Sequence, residues 1–247
     1  MATFFVNVFI YVYTGLTFCV WFQALLLVWL FTFFWDRKRR AVNRLVSVWC
    51  RVYLALNPFW GYRIRGLENM PKGPCVMVAN HQGMLDIVLG YMLFHPFKWV
   101  SKRELFHAPF IGWILRLGDH VGIDRGNRAD AQRMVEMCVQ LLRDGTSVMI
   151  FPEGTRSRSG QVLHFKSGAF AIALAAGVPV VPIVMAGPSE TLAGLTFRPR
   201  RVRMRLDVLP PVAVDEGTPA REYAAQVGQI VREHHAHMAP YYYPQGA

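Results

Sequence analysis

The sequence predicts an α/β fold: a mostly parallel central sheet flanked by helices, preceded by an N-terminal hydrophobic and amphipathic helical membrane anchor. Three observations predict it. Short apolar runs alternate with helix-length amphipathic runs from about residue 75 onward, the pattern of strands joined by crossover helices. No charged side chain occurs before Asp36. Polar, chemistry-bearing residues come directly after the apolar runs, where loops leave the carboxyl ends of parallel strands. The 247 residues divide into an anchoring segment, 1–60, and an α/β domain, 61–247.

Residues 4–34 are almost wholly apolar and include Trp21 and Trp29. As one helix this run is about 46 Å long, against a hydrocarbon thickness of about 30 Å. It must tilt, extend into the interface, or bend near Gly15. A cleaved signal peptide is disfavoured, because the basic cluster Arg37-Lys38-Arg39-Arg40 follows the apolar run instead of preceding it. The positive-inside bias holds that side in the cytoplasm. Residues 41–56 read as an amphipathic helix. Val42, Leu45, Val46, Trp49, Val52 and Tyr53 form its stripe, and Arg40, Arg44 and Arg51 fall away from it. Such a helix either lies among anionic headgroups or docks on the domain with its arginines solvated.

Asn57-Pro58 and Gly61 break that pattern, and the globular part starts near Gly61. Residues 75–79 form the first central strand, 87–94 a helix and 98–101 a short second strand. Residues 104–117 look helical but are interrupted by Pro109. An amphipathic helix covers 129–143, with Met134, Met137, Cys138, Leu141 and Leu142 on one stripe. Residues 147–151 are the next strand, and 166–176 a helix closed by Gly177. Residues 178–185 form a strand through Pro179 and Pro182, which makes it an edge strand or a distorted one. A strand at 202–209 and a helix at 221–237 complete the chain.

The net charge of +11 calls for a polyanionic partner. Basic residues directly behind an apolar segment favour an anionic phospholipid membrane over nucleic acid. The four cysteines lie far apart with no C-x-x-C pair, so neither a zinc site nor a disulfide framework is indicated. His234, His235 and His237 read as a solvated helix end, with no second ligand set for a metal.

Three stretches carry chemistry. In Asn80-His81-Gln82-Gly83-Met84-Leu85-Asp86 a histidine sits on the loop after a strand, with an aspartate five positions on. The two meet only if Asp86 reaches back from the first turn of the following helix. A neutral imidazole there accepts a proton, and a carboxylate behind it fixes the tautomer and stabilises the imidazolium. The alternative is that His81 bonds locally and Asp86 merely favours the helix start. The second stretch is Gly122-Ile123-Asp124-Arg125, and the third Phe151-Pro152-Glu153-Gly154-Thr155-Arg156-Ser157. Gly154 lets backbone amides approach a ligand. Arg125 and Arg156 can fork onto a phosphate, Thr155 can donate a hydroxyl, and Lys102 can add a point charge. Arg125 alone reads equally as a surface ion-pair residue, and Glu153-Gly154 as an ordinary turn.

N-H-x-x-x-x-D, I-D-R, F-P-E-G-T-R-S and a later apolar V-P segment, in this order, resemble the glycerolipid acyltransferases. The nearest subgroup is the bacterial 1-acylglycerol-3-phosphate (lysophosphatidic acid) acyltransferases. The resemblance covers residues 66–185 and implies transfer of a fatty acyl group from an acyl thioester to the free hydroxyl of 1-acylglycerol 3-phosphate. It implies His81 as general base and Asp86 as its orienter. It assigns Arg125, Glu153, Gly154, Thr155 and Arg156 to acceptor binding. Lys102 matches a lysine common before the second motif, and Val181-Pro182-Ile183 the fourth motif. Ile123 stands where the family often has an aromatic, a change expected to tune packing. The resemblance implies no cofactor beyond acyl-CoA or acyl-carrier protein as co-substrate. It implies residence at the bacterial cell membrane with the catalytic domain on the cytoplasmic face. No G-x-S-x-G elbow is present, which disfavours a serine hydrolase of that type.

Other readings stay open. The acceptor could be glycerol 3-phosphate or another lysolipid, or the chain could be a non-catalytic membrane or anion-binding protein. Arg201, Arg203 and Arg205 alternate with Val202, Met204 and Leu206, and Arg198 and Arg200 precede them. They line one strand face, as a patch for anionic headgroups or an acidic carrier protein, or as a charged edge that resists aggregation.

Overall fold

The computed structural model describes residues 1–124, 126–193, 196–198, 201–213 and 217–243. The apolar N-terminus forms one helix, α1 (Ala2–Thr32), which runs through Gly15 without a break. It contains no proline, and no atom crowds Gly15 within 4 Å, so nothing enforces a bend. Ile10, Phe18 and Leu25 turn inward and are buried, while Phe4, Phe5, Leu16, Phe31, Phe34 and Trp35 are exposed. By length and composition this helix can cross a membrane.

The second helix, α2 (Arg40–Ala55), is capped by Asp36, whose carboxylate accepts from Arg40 N at 3.0 Å and Ala41 N at 2.7 Å. Val42, Val46, Cys50, Tyr53 and Leu54 are buried, with Asn43 and Ser47 between them. Asn43 Nδ2 donates to Phe97 O at 2.9 Å. The apolar stripe of this helix thus docks on the domain. Arg40, Arg44 and Arg51 remain exposed.

The remaining elements alternate. They are β1 (Trp60–Arg65), β2 (Val76–Ala79), α3 (Leu85–Tyr91), β3 (Phe97–Lys102), α4 (Ile111–Leu117), β4 (Val121–Ile123), α5 (Arg128–Arg143) and β5 (Ser147–Ile150). Then come α6 (Gly168–Ala176), β6 (Val180–Ala186), β7 (Leu192–Ala193), β8 (Thr196–Phe197), β9 (Val202–Val208) and α7 (Ala220–Met238). Among the described residues the main sheet has seven strands in the order β1-β9-β6-β2-β5-β3-β4. Every neighbouring pair is parallel except β6 and β9. The five strands β2 to β6 therefore open their carboxyl ends onto one rim, while β1 and β9 run the other way. One face of the sheet packs Met77, Trp99, Met149, Ile183 and Met204 against α1, α2 and α3. The other packs Val76, Val148 and Val184 against α5, α6 and α7.

Several boundaries differ from the sequence reading. β6 is interior, so the edge alternative fails and the distorted one holds. Leu209 N donates to Pro182 O at 2.9 Å, and pairing then resumes at Val180 and Val212, one residue out of step with Ile183 and Val208. The N–H that Pro182 lacks falls in that slip and not in the ladder with β2. β9 is flanked on both sides, which overturns its reading as a charged edge. β1 comes directly after the Asn57-Pro58 break, an additional strand whose one local sign is the alternation of Trp60, Tyr62 and Ile64 with Gly61, Arg63 and Arg65. The stretch before α4 is a short 3-10 turn, Arg103–His107, separated from the helix by Pro109.

Gly66 ends β1 with φ of +75°, and a Cβ there would lie 2.0 Å from Val208 O. Both the backbone conformation and the neighbouring carbonyl forbid a side chain. Gly66→Ala is expected to destabilise the fold by about 2 kcal/mol or more, read as a lower denaturant midpoint at unchanged slope.

Candidate active site

The rim places His81 immediately after β2. Its imidazole Nδ1 lies 2.6 Å from Asp86 Oδ2. Asp86, in the first turn of α3, is fully buried. The same oxygen accepts the backbone N–H of Gln82 at 2.6 Å and of Gly83 at 2.8 Å. The turn thus folds around one carboxylate oxygen. An ionised carboxylate only accepts, so His81 carries its proton on Nδ1 and presents an unprotonated Nε2. The ring stacks on Phe151 at 4.1 Å, and Phe151 stacks on Trp99 at 5.2 Å. This wall of aromatic rings fixes the imidazole plane and leaves its side chain 19% exposed.

Glu153 is 3% exposed and sits beside this turn. Its Oε1 accepts the backbone N–H of His81 at 3.2 Å, and its Oε2 is buried with no hydrogen-bond partner. Burial pushes its carboxyl up to about 8, against the pull of backbone N–H donors from His81 and Leu163. The folded state therefore holds this proton more tightly than the unfolded chain, and stability falls as pH rises from the ordinary glutamate range to about 8. Glu153→Gln keeps an acceptor for His81 N and removes the titration. A melting profile from pH 5 to 9 is expected to be flatter in that variant than in the wild type.

The other candidates lie around this centre. Gly154 has φ of +71°, and a Cβ there would approach Lys166 Nζ to 2.9 Å. Thr155 and Arg156 come next on the same turn and are exposed. Ser157 returns to the histidine, its N–H donating to His81 O at 2.8 Å. Lys102 is exposed at the end of β3, two strands from His81, about 10 Å across the sheet. Arg125 lies outside the described residues. The turns carrying His81, Asp86, Glu153, Gly154, Thr155 and Arg156 thus meet at one place, with Lys102 flanking it.

Sequence reasoning misses the groups that hold this rim together. Asn80 clamps β2 to β6: its Nδ2 donates to Met185 O and its Oδ1 accepts from Met185 N, both at 2.8 Å. Gln82 Nε2 donates to Gly160 O at 2.7 Å and lies 3.0 Å from His235 Nε2. His235 is fully buried, which overturns its reading as part of a solvated helix end. Burial and the nearby Arg205 hold its pKa down to about 4, so it is neutral and accepts from Gln82. Its Nδ1 meets Tyr243 Oη at 3.0 Å. His234 pairs with Asp207 at 2.8 Å, and His237 alone of the three is exposed. The Asn next to the histidine is a signal in plain view, whereas His235 lies 153 positions from Gln82.

Comparison with known proteins gives consistent matches. The family model described as Acyltransferase matches residues 61–186. The 1-acyl-sn-glycerol-3-phosphate acyltransferase of Pseudomonas aeruginosa is 36% identical over 184 residues, 72% of this chain and 70% of that one. A chloroplastic enzyme of the same name from Brassica napus is 38% identical over 66% of this chain and 47% of its own. The human alpha form is 38% identical over 67% of this chain and 60% of its own. The chain spans about half the length of the plant and algal relatives it matches. The crystal structure of the 1-acyl-sn-glycerophosphate (LPA) acyltransferase PlsC from Thermotoga maritima superposes with a TM-score of 0.77 at 24% identity. It covers 96% of this chain and 97% of that one, a likeness of fold.

Proposed function

The chain belongs to the acyltransferase family, and from that premise we propose that it acylates the free hydroxyl of 1-acylglycerol 3-phosphate, making phosphatidic acid. The observation that carries this reading is the His81 imidazole, bonded through Nδ1 to buried Asp86 and open at Nε2. His81 Nε2 takes the hydroxyl proton as the oxygen attacks the thioester carbonyl. Asp86 stabilises the imidazolium that forms. The tetrahedral adduct collapses, the carbon–sulfur bond breaks, and the imidazolium returns its proton to the leaving thiolate. The products are phosphatidic acid and a free thiol. The acceptor is itself the nucleophile, so no acyl-enzyme is required.

Arg156 and Thr155, with Lys102 and Arg125, bind the acceptor phosphate. Arg156 supplies the planar fork that suits it. Glu153 and Gly154 act by shaping the turn that presents them. The donor is acyl-CoA or acyl-carrier protein. Residues 1–60 serve as the anchor and 61–247 as the catalytic domain, at the cytoplasmic face of a bacterial cell membrane. The exposed apolar side chains of α1 and the basic cluster behind them support that placement.

The test is acyl transfer by the purified protein in phospholipid vesicles, with palmitoyl-CoA and lysophosphatidic acid. Phosphatidic acid is the expected product. Preference for glycerol 3-phosphate or another lysolipid would move the acceptor assignment. No transfer from either donor class to any of these acceptors would sink the reading.

A further inference from the structure

β1 and β9 carry a face that α7 covers only in part. Their parallel register sets Gly61 beside Arg203, Arg63 beside Arg205, and Arg65 beside Asp207. The alternate residues Trp60, Val202, Met204 and Leu206 belong to the core that includes Ile10 and Leu25 of α1. Period-2 alternation therefore turns the arginines to the opposite face of the sheet, away from α1. α7 and the turn after it reach that face at Asp207, which His234 holds at 2.8 Å, and at Arg205, which lies beside His235 and Tyr241. Beyond these contacts Arg63, Arg65, Arg201 and Arg203 are exposed. None of these four makes an ion pair among the described residues. Asp207 is the one acidic side chain that β1 and β9 contribute. Arg63 and Arg205, like charges set side by side across the two strands, raise the free energy of the sheet, while Asp207 lies beside Arg65 alone.

The position of this face excludes one occupant and favours another. The exposed apolar surface of α1 lies on the far side of the sheet, so these arginines point away from any bilayer that α1 enters. The face nevertheless adjoins the reaction centre. A Cβ on Gly187 would lie 3.1 Å from Met204 Cα and 3.2 Å from Arg203 O, and one on Gly83 would lie 3.2 Å from Pro188 O. Thus β9 backs onto the loop after β6, and that loop backs onto the His81 turn. Across the sheet β9 lies two strand spacings from β2, about 10 Å, and β1 three, about 14 Å.

We propose that the arginine face of β1 and β9 docks an acidic protein that delivers the acyl chain as a thioester. The inference rests on the acyl-transfer reading and selects a protein carrier as a donor that this face recognises. Docking here leaves α1 free for the membrane, so lipid acceptor and soluble donor reach one rim from opposite sides. Charges of this kind act mainly on encounter rate and salt dependence.

The test uses the full chain and the double variant Arg63→Glu/Arg203→Glu. The control Arg133→Glu/Arg143→Glu removes the same charge from α5. Binding of a bacterial acyl carrier protein without its acyl group is measured at low salt, a readout independent of turnover. Transfer from palmitoyl-carrier protein and from palmitoyl-CoA is measured beside it, with sedimentation on anionic vesicles. The expected result is weaker carrier binding and a higher KM for the carrier thioester, by about tenfold or more, in the first variant alone. Transfer from palmitoyl-CoA and vesicle binding should be unchanged. No carrier binding by the wild type, or equal losses with both donors, would overturn the proposal. Loss of vesicle binding would assign the face to lipid and overturn it as well. Carrier binding without transfer from any donor would instead count against the acyl-transfer reading.

Discussion

His81→Ala is expected to lower kcat for acyl transfer by about 10²- to 10⁴-fold while leaving the protein folded. The loss of rate comes from the one group the side chain presents. Nδ1 is committed to Asp86 at 2.6 Å, so Nε2 is the one nitrogen able to take the acceptor proton. Alanine offers no base, and the hydroxyl must then attack while still protonated or give its proton to water. The fold survives because the turn keeps its other bonds. Asp86 Oδ2 still accepts from Gln82 N and Gly83 N, and Glu153 and Ser157 still bond to the backbone of residue 81. The losses are the stacking contact with Phe151 and the imidazole N–H bonded to buried Asp86, each worth about 1 kcal/mol. Turnover and a thermal melt on one preparation test both expectations. Retained turnover in a folded variant would remove His81 from the mechanism.

Asp86→Ala is expected to damage activity and stability together, and Asp86→Asn activity far more than stability. In the alanine variant two buried N–H groups, of Gln82 and Gly83, lose their acceptor. Each such loss costs about 1–3 kcal/mol. The imidazole also loses the partner that holds its proton on Nδ1. Asparagine keeps a carbonyl oxygen for the backbone donors but carries no charge to stabilise the imidazolium. Its kcat should fall by at least about 10²-fold with a small shift in urea midpoint. If the alanine variant unfolds more easily but turns over normally when folded, Asp86 is a helix-start residue and nothing more.

Much of the architecture is readable because the chain alternates so plainly. The strands at 76–79 and 147–150 are short apolar runs with polar exits, and burial of both sheet faces leaves no other reading. The approach of His81 to Asp86 is readable as a condition, since only a carboxylate reaching back from the first helical turn can meet a ring five residues earlier. The features that escape depend on partners distant in sequence. Pro182 looks like an edge marker because local rules assume an unbroken ladder, whereas the slip opposite Pro210-Pro211 absorbs its missing donor. β9 looks like an edge because β1, its outer neighbour, comes about 140 residues earlier in the chain. The resemblance gives Glu153 to acceptor binding along with its motif neighbours, whereas its side chain is buried and Oε1 accepts from His81 N. His235 looks solvated because no local pattern reveals Gln82 and Tyr243 on either side of its ring.

The bracing of Gln82 by His235 and Tyr243 also sets an order of events during synthesis. α1 leaves the ribosome first and, being apolar along nearly its whole length, can enter lipid while the rest is still being made. The His81 turn emerges soon after, but Gln82 lacks its histidine until residue 235 arrives, and His235 lacks its tyrosine until residue 243. A chain whose α1 enters lipid as it emerges is therefore held there before its reaction centre is complete. Its reaction centre gains its full support only after translation has passed residue 243.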